Sequence, residues 1–201
     1  MPPRHEPYHA QIAAGSLLIK ESREIARLLL ENLEEEGWHR ALVVDNVLQK
    51  KSPASARRMA RLIRNRLEPL SLELWHLVLD PDREIATQAL LAASIKHCRL
   101  LRDFLDQVVR EHFRTFKRNL TQGDWRTFLA ECAARDPAVG TWTESTQKKL
   151  GQVIFRILAE AGYLESTRTM KLSPIRVHPK VRKYLLDHHE KDLLRCMEID
   201  K

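Results

Sequence analysis

The sequence predicts a mostly α-helical protein: an N-terminal helical bundle followed by a winged helix-turn-helix-like C-terminal part with one short β-hairpin. Three observations predict it. Apolar residues recur at spacings of three and four along most of the 201-residue chain. Cap-plus-proline starts stand at Ser52-Pro53 and Asp80-Pro81. The chain holds only six glycines, too few for a turn-rich β-sandwich. The expected division is 1–119 for the all-helical bundle and 120–201 for the winged-helix-like domain.

The first helix is expected from about Gly15 to Gly37, with Leu18, Ile25, Leu28, Leu29 and Leu33 on one stripe. A short helix follows from Trp38 to about Gln49. The next runs from Ser52-Pro53 to about Leu67, with Met59, Leu62, Ile63 and Leu67 on one side and Arg57, Arg61 and Arg64 on another. Pro69 ends it. Leu70–Leu79 reads as a further short helix. Asp82 to about Arg118 reads as a long helical region broken once near His97-Cys98, and its density of apolar residues predicts the spine of the bundle.

The pattern changes after Asn119. Thr121-Gln122-Gly123-Asp124 reads as turn and cap, Asp124 to about Ala134 as a short helix burying Trp125, Phe128 and Leu129, and Asp136-Pro137 with Gly140 as a connector. Thr143 to about Ala161 is a longer helix in the recognition position, followed by Gly162 as a C-terminal glycine. Tyr163-Leu164-Glu165 and Ile175-Arg176-Val177 are expected as the two arms of a hairpin, with Ser166–Pro174 as the wing tip. Pro179 starts a last amphipathic helix to about His189, and the tail from Glu190 continues as helix.

Lys and Arg total 34 against 27 acidic residues, a net charge of +7. Such an excess favours an anionic partner. No stretch approaches the ~18–20 apolar residues of a spanning helix, and Met1–Glu6 lacks an apolar signal-peptide core. Three well-separated cysteines, Cys98, Cys132 and Cys196, suit reduced thiols, so the expected compartment is the cytoplasm.

Three basic segments are the candidate nucleic-acid contacts. In and after the wing lie Arg168, Lys171, Arg176, Lys180, Arg182 and Lys183, with no acidic residue among them; a cationic hairpin beside a helix suits a phosphate backbone, and such binding weakens steeply with salt. The recognition-position helix opens with Thr143, Ser145, Thr146, Gln147, Lys148 and Lys149, groups that suit phosphate docking at a helix N-terminus. Gln147 and Gln152 are placed to reach base edges, but no arginine stands in the first turns, so sequence preference is expected to be weak. The third segment is the ridge Arg57, Arg58, Arg61, Arg64 and Arg66, of which Arg57, Arg58, Arg61 and Arg64 are the candidate contacts. It suits phosphates and carboxylates alike, or an exposed face paired with Glu34–Glu36.

Signals for catalysis are absent from the pattern. There is no phosphate-binding glycine loop and no Gly-x-Ser-x-Gly elbow. No Asp or Glu is followed two residues later by Lys, which removes that half of a restriction-nuclease site. The histidines lack metal-ligand spacing with the cysteines. The expectation is a non-enzyme with no catalytic or metal residues, no cofactor, no small-molecule substrate and no membrane contact.

In its order of motifs the chain resembles the BrxA family of the BREX phage-exclusion systems. The residues that carry the likeness are Gly15-Ser16-Leu17-Leu18-Ile19-Lys20-Glu21-Ser22, Asn46-Val47-Leu48-Gln49-Lys50-Lys51-Ser52 and Leu101–Glu111. Trp142-Thr143-Glu144-Ser145-Thr146 follows, leading to Leu158-Ala159-Glu160-Ala161-Gly162-Tyr163-Leu164. The likeness spans roughly residues 9–189. It implies a NusB-like helical N-terminal part and a role in antiviral defence alongside other BREX proteins, among them a methyltransferase and an ATPase-like protein. The NusB comparison points to RNA and the winged segment to double-stranded DNA. DNA is the favoured partner, with RNA binding or protein–protein assembly as the alternatives.

Overall fold

A computed structural model describes residues 7–199, whose regular structure is almost entirely helical. The Met1–Glu6 segment, read above for its lack of a signal-peptide core, lies outside the described residues. The helices are α1 (Ile19–Leu30), α2 (Glu35–His39), α3 (Pro53–Leu67), α4 (Leu72–Leu79), α5 (Arg83–His97) and α6 (Arg99–Asp103). They continue as α7 (Arg110–Arg114), α8 (Gln122–Arg135), α9 (Pro137–Gly140), α10 (Glu144–Glu160), α11 (Pro179–Asp187) and α12 (Lys191–Met197). Arg40–Val44 and Phe104–Val109 are wound as π-helix. Two compact units emerge. Among the described residues, one comprises 7–16, 98–176 and 191–199; the other comprises 17–97 and 177–190. These units do not coincide with a cut at 119/120.

In the second unit, α5 is buried along its whole inner length, from Ile85 to Ile95. Its small residues Ala86, Ala89, Ala92, Ala93 and Ser94 allow neighbours to approach on every side, so it forms the spine. Helices α1, α3, α4 and α11 pack on it. The Ser52 hydroxyl accepts from the Ser55 amide at 3.2 Å, and Pro53 occupies the first turn of α3 as expected. Helix α11 is pinned at three points. The His178 amide donates to Gln88 Oε1 at 2.6 Å, Lys180 pairs with Asp80 at 2.9 Å, and Lys96 pairs with Glu190 at 2.7 Å.

The first unit is built on an aromatic cluster. Phe104 stands edge-on to Trp125, Phe128 and Phe155, at centroid distances of 5.5, 5.2 and 6.0 Å. The chain start is tied down by Tyr8, whose hydroxyl donates to Asp103 at 2.7 Å and whose amide donates to Asp136 at 3.0 Å; the Arg99 guanidinium covers its ring. Helix α8 opens with a reciprocal capping box between Thr121 and Asp124. Tyr163, fully buried, donates its hydroxyl to the Met197 carbonyl at 2.5 Å and thereby holds α12.

Several expectations need correction. The helix expected from Gly15 to Gly37 is shorter: Leu18 and Asn32 adopt left-handed backbone angles (φ 54° and 49°), so α1 spans only Ile19–Leu30 and α2 is separate. The region from Asp82 breaks at Cys98 as expected, whose extended backbone starts α6, but beyond it the chain continues through the π-wound turn. The expected hairpin arms do not pair. Among the described residues only two isolated bridges occur, Leu164 with Leu172 and Asn119 with Lys171. The loop closes early because Met170 turns left-handed (φ 53°) and donates its amide to Ser166, so Ile175–Val177 never lies opposite Tyr163–Glu165.

Candidate nucleic-acid interface

The first unit presents α10 on a scaffold fixed from behind. Thr143 caps the helix, its hydroxyl accepting from the Thr146 amide at 3.2 Å. Gly151 is required where α8 crosses: a Cβ there would lie 2.7 Å from Trp125 Nε1, and that Nε1–H donates to the Gln147 carbonyl at 3.0 Å. The opposite face of α10 is exposed and carries Lys148, Lys149, Gln152 and Arg156. Lys149, Gln152 and Arg156 join Gln122 of α8 and Thr167 of the following loop in lining a groove of about 360 Å³. Among the described residues no carboxylate pairs with Lys148, Lys149, Arg156 or Arg168, so these cations are available to an anion.

The loop after α10 is ordered by its own side chains. Ser166 Oγ accepts from the Arg168 and Thr169 amides at 3.3 and 3.1 Å, and Asn119 Nδ2 donates to the Thr169 carbonyl at 3.0 Å. Arg168 stands exposed at the tip. Lys171 is paired with Glu165 at 2.5 Å, which offsets its charge, and Arg176 is exposed. The hydroxyls of Ser145 and Thr146 bond to Thr143 at 3.0 and 2.9 Å. Gln147, expected at base edges, instead donates its side-chain amide to the Trp142 carbonyl at 3.0 Å and is held in the turn.

The remaining predicted residues belong to the second unit. Arg57, Arg61 and Arg64 line a groove of about 590 Å³ with Glu35, Trp38, His39, Leu42 and Glu68. The Arg64 guanidinium lies 4.4 Å over the Trp38 ring and bonds Glu68 at 2.6 Å; Arg57 approaches His39 Nδ1 at 3.3 Å. Arg58 is exposed on the same helix, whereas Arg66 of the expected ridge is buried, because it falls on the inward side of α3 with Ile63 and Leu67. Lys180 is paired with Asp80 and Lys183 with Asp187 at 2.9 and 2.5 Å; the Arg182 side chain lies on the exposed face of α11. The three basic segments are thus divided: Thr143 to Arg176 in one unit, Arg57–Arg64 and Lys180–Lys183 in the other. Sequence reading missed Arg156, although it extends the Lys149–Gln152 face by one helical turn, and missed Gln122 and Thr167, which join that face only through folding.

The titratable groups elsewhere serve structure. Burial pushes the Cys196 thiol up to about 11 and raises that of Cys132, leaving both protonated and poor nucleophiles. Asp124 feels burial pushing its pKa up, but hydrogen bonds from Thr121 and the nearby His112, at 3.3 Å, outweigh it and hold the carboxyl below its ordinary range. Among the described residues no cluster of His, Cys, Asp or Glu is arranged to hold a metal, and no helix is long and apolar enough to cross a membrane.

These features define a mostly helical protein with buried thiols and cation-lined surface grooves. Comparison with known proteins places it further. The BrxA family model matches residues 6–189. The BREX protein BrxA of Paramagnetospirillum magneticum is 44% identical over 192 residues, covering 96% of each chain. The BREX protein BrxA of Escherichia coli O9:H4 is 32% identical over 187 residues, covering 93% of this chain and 88% of the relative. A crystal structure of an uncharacterized protein from Magnetospirillum magneticum superposes with a TM-score of 0.90 at 42% identity, covering 97% of this chain and all of that one. The chain belongs to the BrxA family.

Proposed function

We propose that this protein is a non-enzymatic, nucleic-acid-binding component of a BREX phage-defence system, working in the cytoplasm on double-stranded DNA with weak sequence preference. The observation that carries the reading is the exposed row Lys149, Gln152 and Arg156 beside Gln122 and Thr167, with Lys148 and Arg168 flanking it and no carboxylate answering these cations among the described residues. Helices α8, α9 and α10 and the 164–172 loop act as a winged helix-turn-helix-like module whose loop replaces a regular β-wing. Ammonium and guanidinium groups of this kind grip phosphates and steer register, while the exposed Gln152 supplies a side-chain amide on the row. Fluorescence anisotropy on unrelated duplexes at rising salt tests the proposal. Four phosphate contacts give a log–log salt slope of about −3.6. Absence of duplex binding at low salt, or stronger capture of structured RNA in competition, refutes the DNA assignment.

The arginine groove of α3 supports a second, separable role as an assembly contact with another BREX protein. Glu35 and Glu68 line it, and Arg64 already covers the Trp38 face. A groove with carboxylates inside it suits discrete acidic side chains of a protein better than a continuous polyphosphate.

A further inference from the structure

Helix α7 ends in an unusual way. The Phe116 amide donates to the Phe113 carbonyl at 3.2 Å and the Lys117 amide to the His112 carbonyl at 2.9 Å, which is the Schellman arrangement. Its left-handed position, normally glycine, is filled by Phe116 at φ 56°. The same side chain is 82% exposed, more than Val44 (69%), Leu72 (50%) or Leu186 (37%), the other large apolar residues on the described surface. The left-handed backbone is a cost to folding that glycine would relieve, and the exposed ring contributes almost no burial to offset it.

The surroundings indicate what the ring is for. Its chain neighbours Arg114, Thr115, Lys117, Arg118 and Asn119 are all exposed and polar or cationic; Arg114 is paired with Glu111 at 3.7 Å, which leaves Lys117 and Arg118 as the cations next to the ring. The backbone beneath is hydrogen-bonded on both sides of Asn119. The Leu172 amide donates to the Arg118 carbonyl at 2.8 Å and the Leu120 amide to the Met170 carbonyl at 2.9 Å, which ties this segment to the loop that carries Arg168. An aromatic face on a braced turn, with an ammonium and a guanidinium group next to it, matches a base step flanked by phosphates.

We propose that Phe116 is a base-stacking wedge that inserts at a base step of bound duplex DNA while Lys117 and Arg118 hold the adjoining phosphates. This inference rests on the DNA-binding reading above. The test is Phe116→Gly, assayed by thermal denaturation and by titration of a duplex carrying 2-aminopurine. The wild-type protein is expected to change the 2-aminopurine emission on binding. The Phe116→Gly variant is expected to keep or raise the melting temperature, to lose the emission change and to bind about five- to a hundredfold more weakly; Phe116→Trp should retain both signals. Equal affinity and emission for Phe116→Gly overturn the wedge alone, and a lowered melting temperature assigns the ring to the fold. Failure of the wild-type protein to bind any duplex overturns the DNA reading beneath it.

Discussion

Replacing Gly151 by alanine probes the joint that presents α10. The new Cβ would lie 2.7 Å from Trp125 Nε1 and 2.9 Å from Cδ1. The indole cannot tilt away freely, because Phe104, Phe128 and Phe155 enclose it at centroid distances of 5.5, 5.9 and 6.3 Å. Overpacking of this kind costs ~1–3 kcal/mol, and displacing the indole from the Gln147 carbonyl costs a further ~1 kcal/mol. Alanine's better helix propensity returns ~1 kcal/mol. The net expectation is destabilisation of about 1–3 kcal/mol, a melting-temperature fall of roughly 2–12 °C for a chain of this size. Thermal unfolding followed by circular dichroism measures it. Trp125→Leu removes the clash, so Gly151→Ala in that background should cost little, and the double-mutant cycle should show coupling. An unchanged or higher melting temperature for Gly151→Ala, or additivity with Trp125→Leu, would refute the packing argument.

Other outcomes follow from the same contacts. Lys149→Ala with Arg156→Ala should weaken binding to unrelated duplexes alike and make the log–log salt slope shallower by about 2, measured by anisotropy. Arg57→Glu with Arg61→Glu should leave duplex affinity unchanged while abolishing co-purification with other BREX proteins from cells expressing the whole system. Tyr163→Phe strips the buried Met197 carbonyl of its donor and should cost about 1–2 kcal/mol in denaturant titration, with early exposure of α12 amides to hydrogen exchange. The Asp124 carboxyl titrates below its ordinary range in the folded state, so its contribution is complete above the unfolded pKa of about 3.9 and is lost as pH falls through the folded value. The wild-type melting temperature should therefore drop in that acid window more steeply than that of Asp124→Asn.

Local chemistry was the legible part of the sequence. Ser52-Pro53 caps α3 where read, Thr121 with Asp124 forms the capping box of a helix that begins at Gln122 and not at Asp124, and Thr143, read as the first helical residue, caps α10; of the spine expected from Asp82 to about Arg118, only the part before Cys98 is the buried helix α5, and residues 98–118 belong to the other unit. The errors share physical causes. A 3.6-residue period cannot register the π turns at Arg40–Val44 and Phe104–Val109, because each adds a residue without changing composition. Left-handed Leu18, Phe116 and Met170 are invisible to propensity, which expects glycine or asparagine there. Glu165 lies just outside the basic run read in the sequence, yet six residues before Lys171 it curls back to pair with it. Cross-chain proximity, such as Thr167 beside Gln122, exists only once the loop has closed.

The alternation of the backbone between its two bodies has a practical outcome. Residues 177–190 complete a body begun at residue 17, and residues 191–199 return to the one that holds residues 98–176. No single cleavage frees either body intact. Removing the last 25 residues would strip α11 from one and α12 from the other, so shortened chains would report damage to both. Assignments of contact must come from point substitutions in the whole polypeptide, and nascent chain leaving the ribosome finishes one body only when α11 has emerged and the other only when α12 has.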